Sequence, residues 1–168
     1  MEIPFMPVND VPGAIDLIKS WMEQRGISES SEVKPTPGGI SFQFRGVDSS
    51  GIPFAVLQPE TWKKTVVIVS EVTITDDRFN SISSMRPKDR DDFLGNLQKD
   101  ITFAPSAFAF DPTFDKTGIP RGIQFSKEIC YDGLTEDRLN EAMRDVIRSV
   151  LFVIWRIRKE FGNPPTKE

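Results

Sequence analysis

A long amphipathic helix near the C-terminus constrains this chain most, because its apolar side chains need a large surface to cover them. Thr135 is positioned to cap the helix, which we predict to run to about Phe161, where Gly162 and Pro164 end it. At about 3.6 residues per turn, one stripe of the helix carries Leu139, Met143, Val146, Val150, Ile157 and Phe161, widened by Ile147, Val153 and Ile154. This stripe predicts that the helix packs on a sheet.

The middle of the same helix carries additional apolar residues away from that stripe. Leu151 and Trp155 lie one turn apart and about 100° or more from it, and Phe152 lies farther round. A helix that is apolar on nearly all sides usually buries a second face. We therefore predict that Leu151, Phe152 and Trp155 form an interface between two copies of the chain. Arg148 and Arg156 are expected at its rim.

A contact within one chain would explain the second face of this helix equally well. The first helix, or the N-terminal residues 3–6, could cover the same three side chains. The sequence leaves both alternatives open, because isolated apolar residues are common on protein surfaces.

Five segments have the composition of β-strands. Phe42 and Phe44 alternate with polar residues, so both are expected on the inner face of a half-buried strand. After a second strand, residues 62–75 contain a β-branched run that is typical of a central strand. Two more strands are predicted over residues 107–110 and 123–131.

Two further helices complete the predicted order of elements. The first is capped by Asn9 or Asp10 and ends at Gly26, and the second begins at Pro87. Residues 76–86, between the third strand and the second helix, are predicted to be a polar loop. The order is then α-β-β-β-α-β-β-α. It predicts an α+β fold with a five-stranded antiparallel sheet and three helices mostly on one side.

This order of elements resembles the type III secretion chaperone-like fold. In length and layout the chain is also similar to an uncharacterised archaeal protein family with that fold. The resemblance covers nearly the whole chain and is one of layout, without a diagnostic motif. It implies that the chain forms a homodimer and binds protein segments, as members of that fold class often do.

Composition argues against several classes of function. The 168 residues predict one domain over residues 1–168, and 38% hydrophobic and 27% charged residues are ordinary for a globular protein. A net charge of -4 argues against nucleic acid as a partner, because phosphate binding needs a basic surface. The longest apolar run, residues 150–155, is too short to span a membrane, and the N-terminus lacks a signal peptide. A cytoplasmic location is therefore expected.

Most catalytic and metal-binding equipment is missing from the sequence. The chain contains no histidine and one cysteine, so Ser-His-Asp catalysis, a Cys/His zinc site and an intrachain disulfide are excluded. No cofactor motif is present either, and none is expected to bind. Cys130 lies between Ile129 and Tyr131, which favours a buried structural cysteine over a nucleophile.

The densest group of carboxylates is Asp89, Asp91 and Asp92, close to the predicted start of the second helix. Acidic side chains at that end of a helix stabilise it through the helix dipole, and we favour this interpretation. A site for a hard cation is the alternative, since carboxylate oxygens are suitable ligands.

Three functional hypotheses follow from the sequence. The leading one is a non-enzymatic, chaperone-like protein-interaction module that acts as a homodimer. The second is an enzyme of unrecognised type that uses carboxylate and arginine side chains between Asp76 and Asp92. The third is a module that senses an apolar ligand in a pocket between sheet and helices.

Overall fold

One antiparallel sheet organises the computed structural model, which describes residues 10–27, 39–110 and 118–162. Its strands are β1 (Ile40–Val47), β2 (Pro53–Pro59), β3 (Thr65–Thr73), β4 (Ala107–Phe110) and β5 (Gly122–Cys130). They lie side by side in the order β1-β2-β3-β5-β4, and every pair is antiparallel. The first three strands form the expected meander, and β5 lies between β3 and the short edge strand β4.

The inner face of the sheet is mostly apolar, as the alternation in β1 predicted. Phe42 and Phe44 are each 1% exposed, and Phe44 is opposite Val56 of β2. All three belong to one hydrophobic core, together with the inner-face residues of β3 and β5. Outer-face residues such as Ala55 and Val67 are not part of that core.

Four α-helices accompany the sheet in the described residues: α1 (Val11–Gln24), α2 (Asp76–Ser83), α3 (Pro87–Thr102) and α4 (Glu136–Phe161). The predicted ends of α1 and α4 are confirmed. The Asp10 side chain accepts a hydrogen bond from the backbone N–H of Gly13 at 2.9 Å, and Thr135 accepts one from Arg138 at 3.2 Å. Gly162, with φ at 75°, ends α4 in the left-handed region.

Helix α2 replaces the polar loop predicted over residues 76–86, so the prediction of three helices was wrong. Thr75 precedes it in an extended conformation, and Asp76 and Asp77 in its first turn suit the positive end of the helix dipole. Phe79 and Ile82, three residues apart, are buried in the core. The segment is short and mostly polar, so the hydrophobic periodicity that indicates a helix is too weak to detect.

This unexpected helix holds the C-terminal end of α4 in place. The Arg78 guanidinium donates hydrogen bonds to the backbone oxygens of Phe161 at 2.9 Å and Gly162 at 2.7 Å. The last carbonyls of a helix have no partner within the helix, so a cation there satisfies them and complements the dipole. The Phe161 ring also packs edge-on against Phe93 of α3, with 5.3 Å between the centroids.

Helix α4 packs across the inner faces of β3 and β5. Val146, Val150 and Val153 are at most 1% exposed and share the core with Ile68 and Phe125. The predicted docking stripe is thus confirmed in its central part.

An ion pair joins the same helix to the sheet. Lys127 of β5 bonds to the carboxylate of Asp145, whose side chain is mostly buried. Because Lys127 is on the inner face of the sheet, this contact fixes the rotation of α4 about its own axis.

A buried tyrosine lies just before the N-terminal end of α4. Tyr131 lies in one turn of 3-10 helix, Tyr131–Gly133, and its hydroxyl donates a hydrogen bond to the side-chain oxygen of Gln58. Burial raises the pKa of the Tyr131 phenol above its ordinary value of 10.0, and the negative charge of Asp10 raises it further.

Some of the sequence predictions lie outside the described residues. These are the alternative cap Asn9, the stop at Pro164 and the proposal that residues 3–6 cover the second face of α4.

The raised pKa predicts a stability change at high pH. Because the phenol ionises less readily in the folded than in the unfolded chain, its stabilisation is complete below about pH 10 and is lost as pH rises through the folded-state value. Urea unfolding between neutral and strongly alkaline pH should show a steeper loss for wild type than for Tyr131→Phe. Tyr131 is the only tyrosine, so phenolate absorbance reports its ionisation directly. Phenolate formation at the same pH in native and urea-unfolded protein would contradict the prediction.

Candidate functional site

The outer face of α4 exposes large apolar side chains. Leu151 is 37% exposed and Trp155 53% exposed, and both point away from the sheet. Phe152 is partly buried against the core, and its ring centroid is 6.1 Å from that of Trp155. The described part of the chain therefore leaves Leu151 and Trp155 open to solvent and covers much of Phe152.

A fourth large apolar side chain is exposed near the C-terminal end of α3. Phe103, which follows α3, is 82% exposed. Two contacts hold this part of the chain against α4: Asp100 Oδ2 is 3.2 Å from Arg156 Nε, and the Ser106 and Ser149 hydroxyls are 2.6 Å apart.

Ser149, Phe152 and Arg156 follow one another on one side of the helix, at spacings of three and four residues. Phe103 lies in sequence between Asp100 and Ser106, in the segment that these two contacts hold against α4. We call the surface formed by Leu151, Phe152 and Trp155 the α4 patch.

Basic side chains border the α4 patch along the helix. Arg148 is exposed and has no ion pair with any residue in the described ranges. The Lys159 ammonium lies 5.1 Å from the centroid of the Trp155 ring, within the range of a cation–π contact. Arg156, predicted at the rim, is instead only 22% exposed and paired with Asp100, in a geometry that makes no hydrogen bond.

The acidic side chains between Asp76 and Asp92 are dispersed over two helices: Asp76 and Asp77 lie in the first turn of α2 and Asp89 in the first turn of α3, whereas Asp91 and Asp92 lie one turn farther along α3. Asp76 pairs with Arg121 at 3.0 Å, and that guanidinium lies 3.4 Å above the Phe79 ring. Asp89 pairs with Arg86 at 2.6 Å. Within the described ranges, no three acidic or cysteine side chains come together as a metal-binding group. For Asp89 the geometry agrees with the helix-dipole interpretation, whereas Asp91 and Asp92 lie beyond the first turn.

Cys130 is exposed, so the prediction of a buried structural cysteine was wrong. Its neighbours Ile129 and Tyr131 are both buried, which is why the sequence suggested burial. Along β5, alternation turns Ile129 inward and Cys130 outward. The following 3-10 turn then breaks the alternation and returns Tyr131 to the core. Lys127, the nearest cation in sequence, is bound to Asp145 on the other face.

In the described segments, no helix is both long enough and apolar enough to cross a lipid bilayer.

The sequence matches one protein family. The model of a family described as an uncharacterized conserved protein (DUF2299) matches residues 14–157. That range is most of the 168 residues, so the chain belongs to this family. No curated protein matches the sequence significantly.

Solved structures share the fold. An uncharacterized protein from the archaeon Methanothermobacter thermautotrophicus is 21% identical, with a TM-score of 0.78 over 88% of this chain and 98% of that chain. Weaker likenesses link the chain to the ExsC–ExsE complex (9% identity, TM-score 0.49, 86% of this chain and 92% of the other) and the HopA1–SchA chaperone–effector complex (12%, 0.48, 85% and 92%). The expected uncharacterised family with an archaeal relative is confirmed, and the likeness to chaperone structures is weak. Similarity at these identities concerns the fold alone.

The exposure of Phe103 predicts that this residue contributes little to the folding of one chain. Phe103→Ala should change the free energy of unfolding by no more than about 0.5 kcal/mol, as is usual for exposed positions. Phe125→Ala, a matched change at a residue with 0% exposure, should cost about 3–5 kcal/mol. Urea unfolding at low protein concentration measures both values. Equal losses in the two variants would mean that Phe103 belongs to the core.

Proposed function

We propose that this member of the DUF2299 family is a single-domain, non-enzymatic protein-interaction module that acts as a cytoplasmic homodimer and needs no cofactor or nucleic acid. The observation that carries the proposal is the α4 patch. Leu151 and Trp155 are exposed together on one side of the helix that is most firmly fixed to the sheet, and the Phe152 ring lies against that of Trp155. Contiguous exposed apolar side chains are typical of interaction surfaces, whereas single ones are not.

Burial free energy explains why such a surface would associate. Covering a large apolar side chain is worth roughly 1.5–3 kcal/mol, so leaving the α4 patch in water is costly. Aromatic side chains at the centre of an interface commonly contribute most of its binding energy. A two-fold axis through the patch would let one surface supply both halves of the contact.

The charges beside the patch limit how two α4 helices could meet. Arg148 precedes the apolar centre and Arg158 follows it, and both are exposed. In a nearly antiparallel pair, Arg148 would approach Arg158 of the partner subunit, and like charges at that distance repel. A steep crossing, near the roughly 50° common between packed helices, keeps the apolar centres together and the basic ends apart. We propose this crossing for the dimer.

Several of the charged side chains offered for an enzymatic function make contacts that stabilise the fold. Arg78 caps α4, Arg121 binds Asp76 and covers Phe79, and Asp89 binds Arg86. These contacts support an interaction module over the enzyme hypothesis.

Trp155→Glu should separate the proposed dimer without unfolding the chain. A central interface tryptophan is worth about 2 kcal/mol or more, and a two-fold interface contains two of them, so the dissociation constant should rise by roughly 1,000-fold. Multi-angle light scattering over a range of concentrations gives the mass, and circular dichroism reports the fold.

Trp62→Glu is the matched control, because Trp62 is 45% exposed at a site outside α4. This variant should dimerise like wild type. A wild type that stays monomeric at high concentration, or equal effects of the two substitutions, would contradict the proposed interface.

Salt should strengthen the dimer. Added salt screens the repulsion between the basic ends of the two α4 patches, and the apolar contact itself is little affected by moderate salt. The dissociation constant should therefore fall as sodium chloride is raised from low to physiological concentration. Arg148→Ala should reduce this dependence, since it removes one of the repelling charges. A dimer that weakens with salt would require attractive ion pairs across the interface and would refute the crossing proposed here.

A further inference from the structure

A second recess lies away from the α4 patch, between the end of α1, the turn from β1 to β2 and the N-terminal half of α4. Its volume is about 600 Å³. Its apolar wall is formed by Phe54, Met143 and Ile147. Gly46 helps to shape it, because a Cβ atom there would lie 2.5 Å from Ile27, which packs directly over the strand. The recess is large enough for several side chains of a ligand.

One residue of this recess has an unfulfilled capacity for hydrogen bonding. Asn140, on α4, is 3% exposed, and neither its Nδ2 nor its Oδ1 has a hydrogen-bond partner. A buried amide normally finds partners, because leaving it unpaired forfeits the hydrogen bonds that it makes with water in the unfolded chain. An Asn side chain presents a donor and an acceptor side by side. The N–H and C=O groups of a polypeptide backbone are complementary to that pair.

Two arginines, Arg25 and Arg144, and one carboxylate, Asp48, line the recess, and the Asp48 carboxylate already accepts a hydrogen bond from the backbone N–H of Ile52 at 2.8 Å. Arg144 is exposed, one turn from Asn140, and makes no ion pair within the described ranges. Arg25, on the other side, is 3.7 Å from Glu136 and about half exposed, so it is only loosely held. A carboxylate on a ligand would therefore meet at least one guanidinium with no competing partner.

We propose that this recess binds an extended polypeptide segment in which an acidic residue is next to an apolar one. The backbone of the segment pairs with Asn140, its carboxylate binds Arg144, and its apolar side chain packs against Phe54, Met143 and Ile147. Because both amide atoms of Asn140 are shielded from water, side chains around the recess must move as the segment enters. The inference rests on the proposed interaction function and gives it a second surface, distinct from the α4 patch.

Selection from a random-peptide library on the full-length protein tests the proposal. Enriched peptides should carry Asp or Glu beside an apolar residue, and a synthetic copy should bind by fluorescence anisotropy. Arg144→Glu should weaken that binding by about tenfold or more. Arg138→Glu is the matched control, since it makes the same charge change on the same helix, outside both the recess and the α4 patch. It should bind as wild type does.

Asn140→Ala separates a binding role from a structural one. Removing an amide without partners should leave the urea midpoint unchanged or higher, while peptide affinity falls by about tenfold. In ¹⁵N-labelled protein, the side-chain amide signals of Asn140 should shift when the peptide is added. Loss of stability with unchanged affinity would instead mean that a buried water satisfies Asn140, and the proposal would be wrong.

The outcomes also separate this inference from the proposed dimer. Arg144→Glu and Asn140→Ala should keep the dimer mass, and Trp155→Glu should still bind the selected peptide. A library that yields no common motif, or a basic one, overturns the inference even if Trp155→Glu dissociates the dimer. Peptide binding with the expected motif to a monomeric wild type would support the inference and contradict the dimer.

Discussion

The orientation of α4 on the sheet determines which of its side chains can take part in anything else. Valines at positions 146, 150 and 153 bury one side of the helix on β3 and β5, and the contact between Lys127 and Asp145 fixes its rotation. Arg78 holds its C-terminal end through two backbone carbonyls. Because the position, the rotation and the C-terminal end of α4 are all constrained, Leu151 and Trp155 cannot turn inward without disrupting the core. Their exposure is therefore a property of the whole fold and not of one loose side chain.

Much of this architecture follows from local chemistry in the sequence. The ends of α4 are marked by Thr135 and Gly162, and the parity of β1 places Phe42 and Phe44 inward without any knowledge of the neighbours. The prediction failed where tertiary contacts decide. Helix α2 is short, and it is stabilised by the burial of Phe79 and Ile82 and by contacts of Arg78 with a residue 83 positions away. Cys130 is exposed because the 3-10 turn interrupts the alternation immediately after it.

The candidate surfaces also contain some residues that local sequence predicts and others that only tertiary contacts reveal. Leu151, Phe152 and Trp155 could be predicted from a helical-wheel projection, because their angle from the docking stripe follows from residue spacing alone. The position of the segment around Phe103 could not be predicted, since only the contacts of Asp100 and Ser106 hold it against α4. The only indication in the sequence that Phe103 is exposed is that it does not belong to the apolar stripe of α3. Nothing in the sequence indicated Asn140 as a binding residue, because an amide without hydrogen-bond partners is recognisable only once its surroundings are known. The two surfaces lie on different parts of α4, so one helix could serve self-association and segment binding together.

The proximity of two α4 patches in solution is the central claim, and an isotope-filtered NOE experiment measures it directly. Protein labelled with ¹³C and ¹⁵N is mixed with unlabelled protein, and only contacts between different copies are recorded. The account predicts cross-peaks between the Trp155 indole of one copy and the Leu151 methyl groups of the other, in a particle with twice the 19.0 kDa mass of one chain. Intermolecular cross-peaks confined to another surface, or none at concentrations where the aromatic signals are sharp and monomeric, would contradict it.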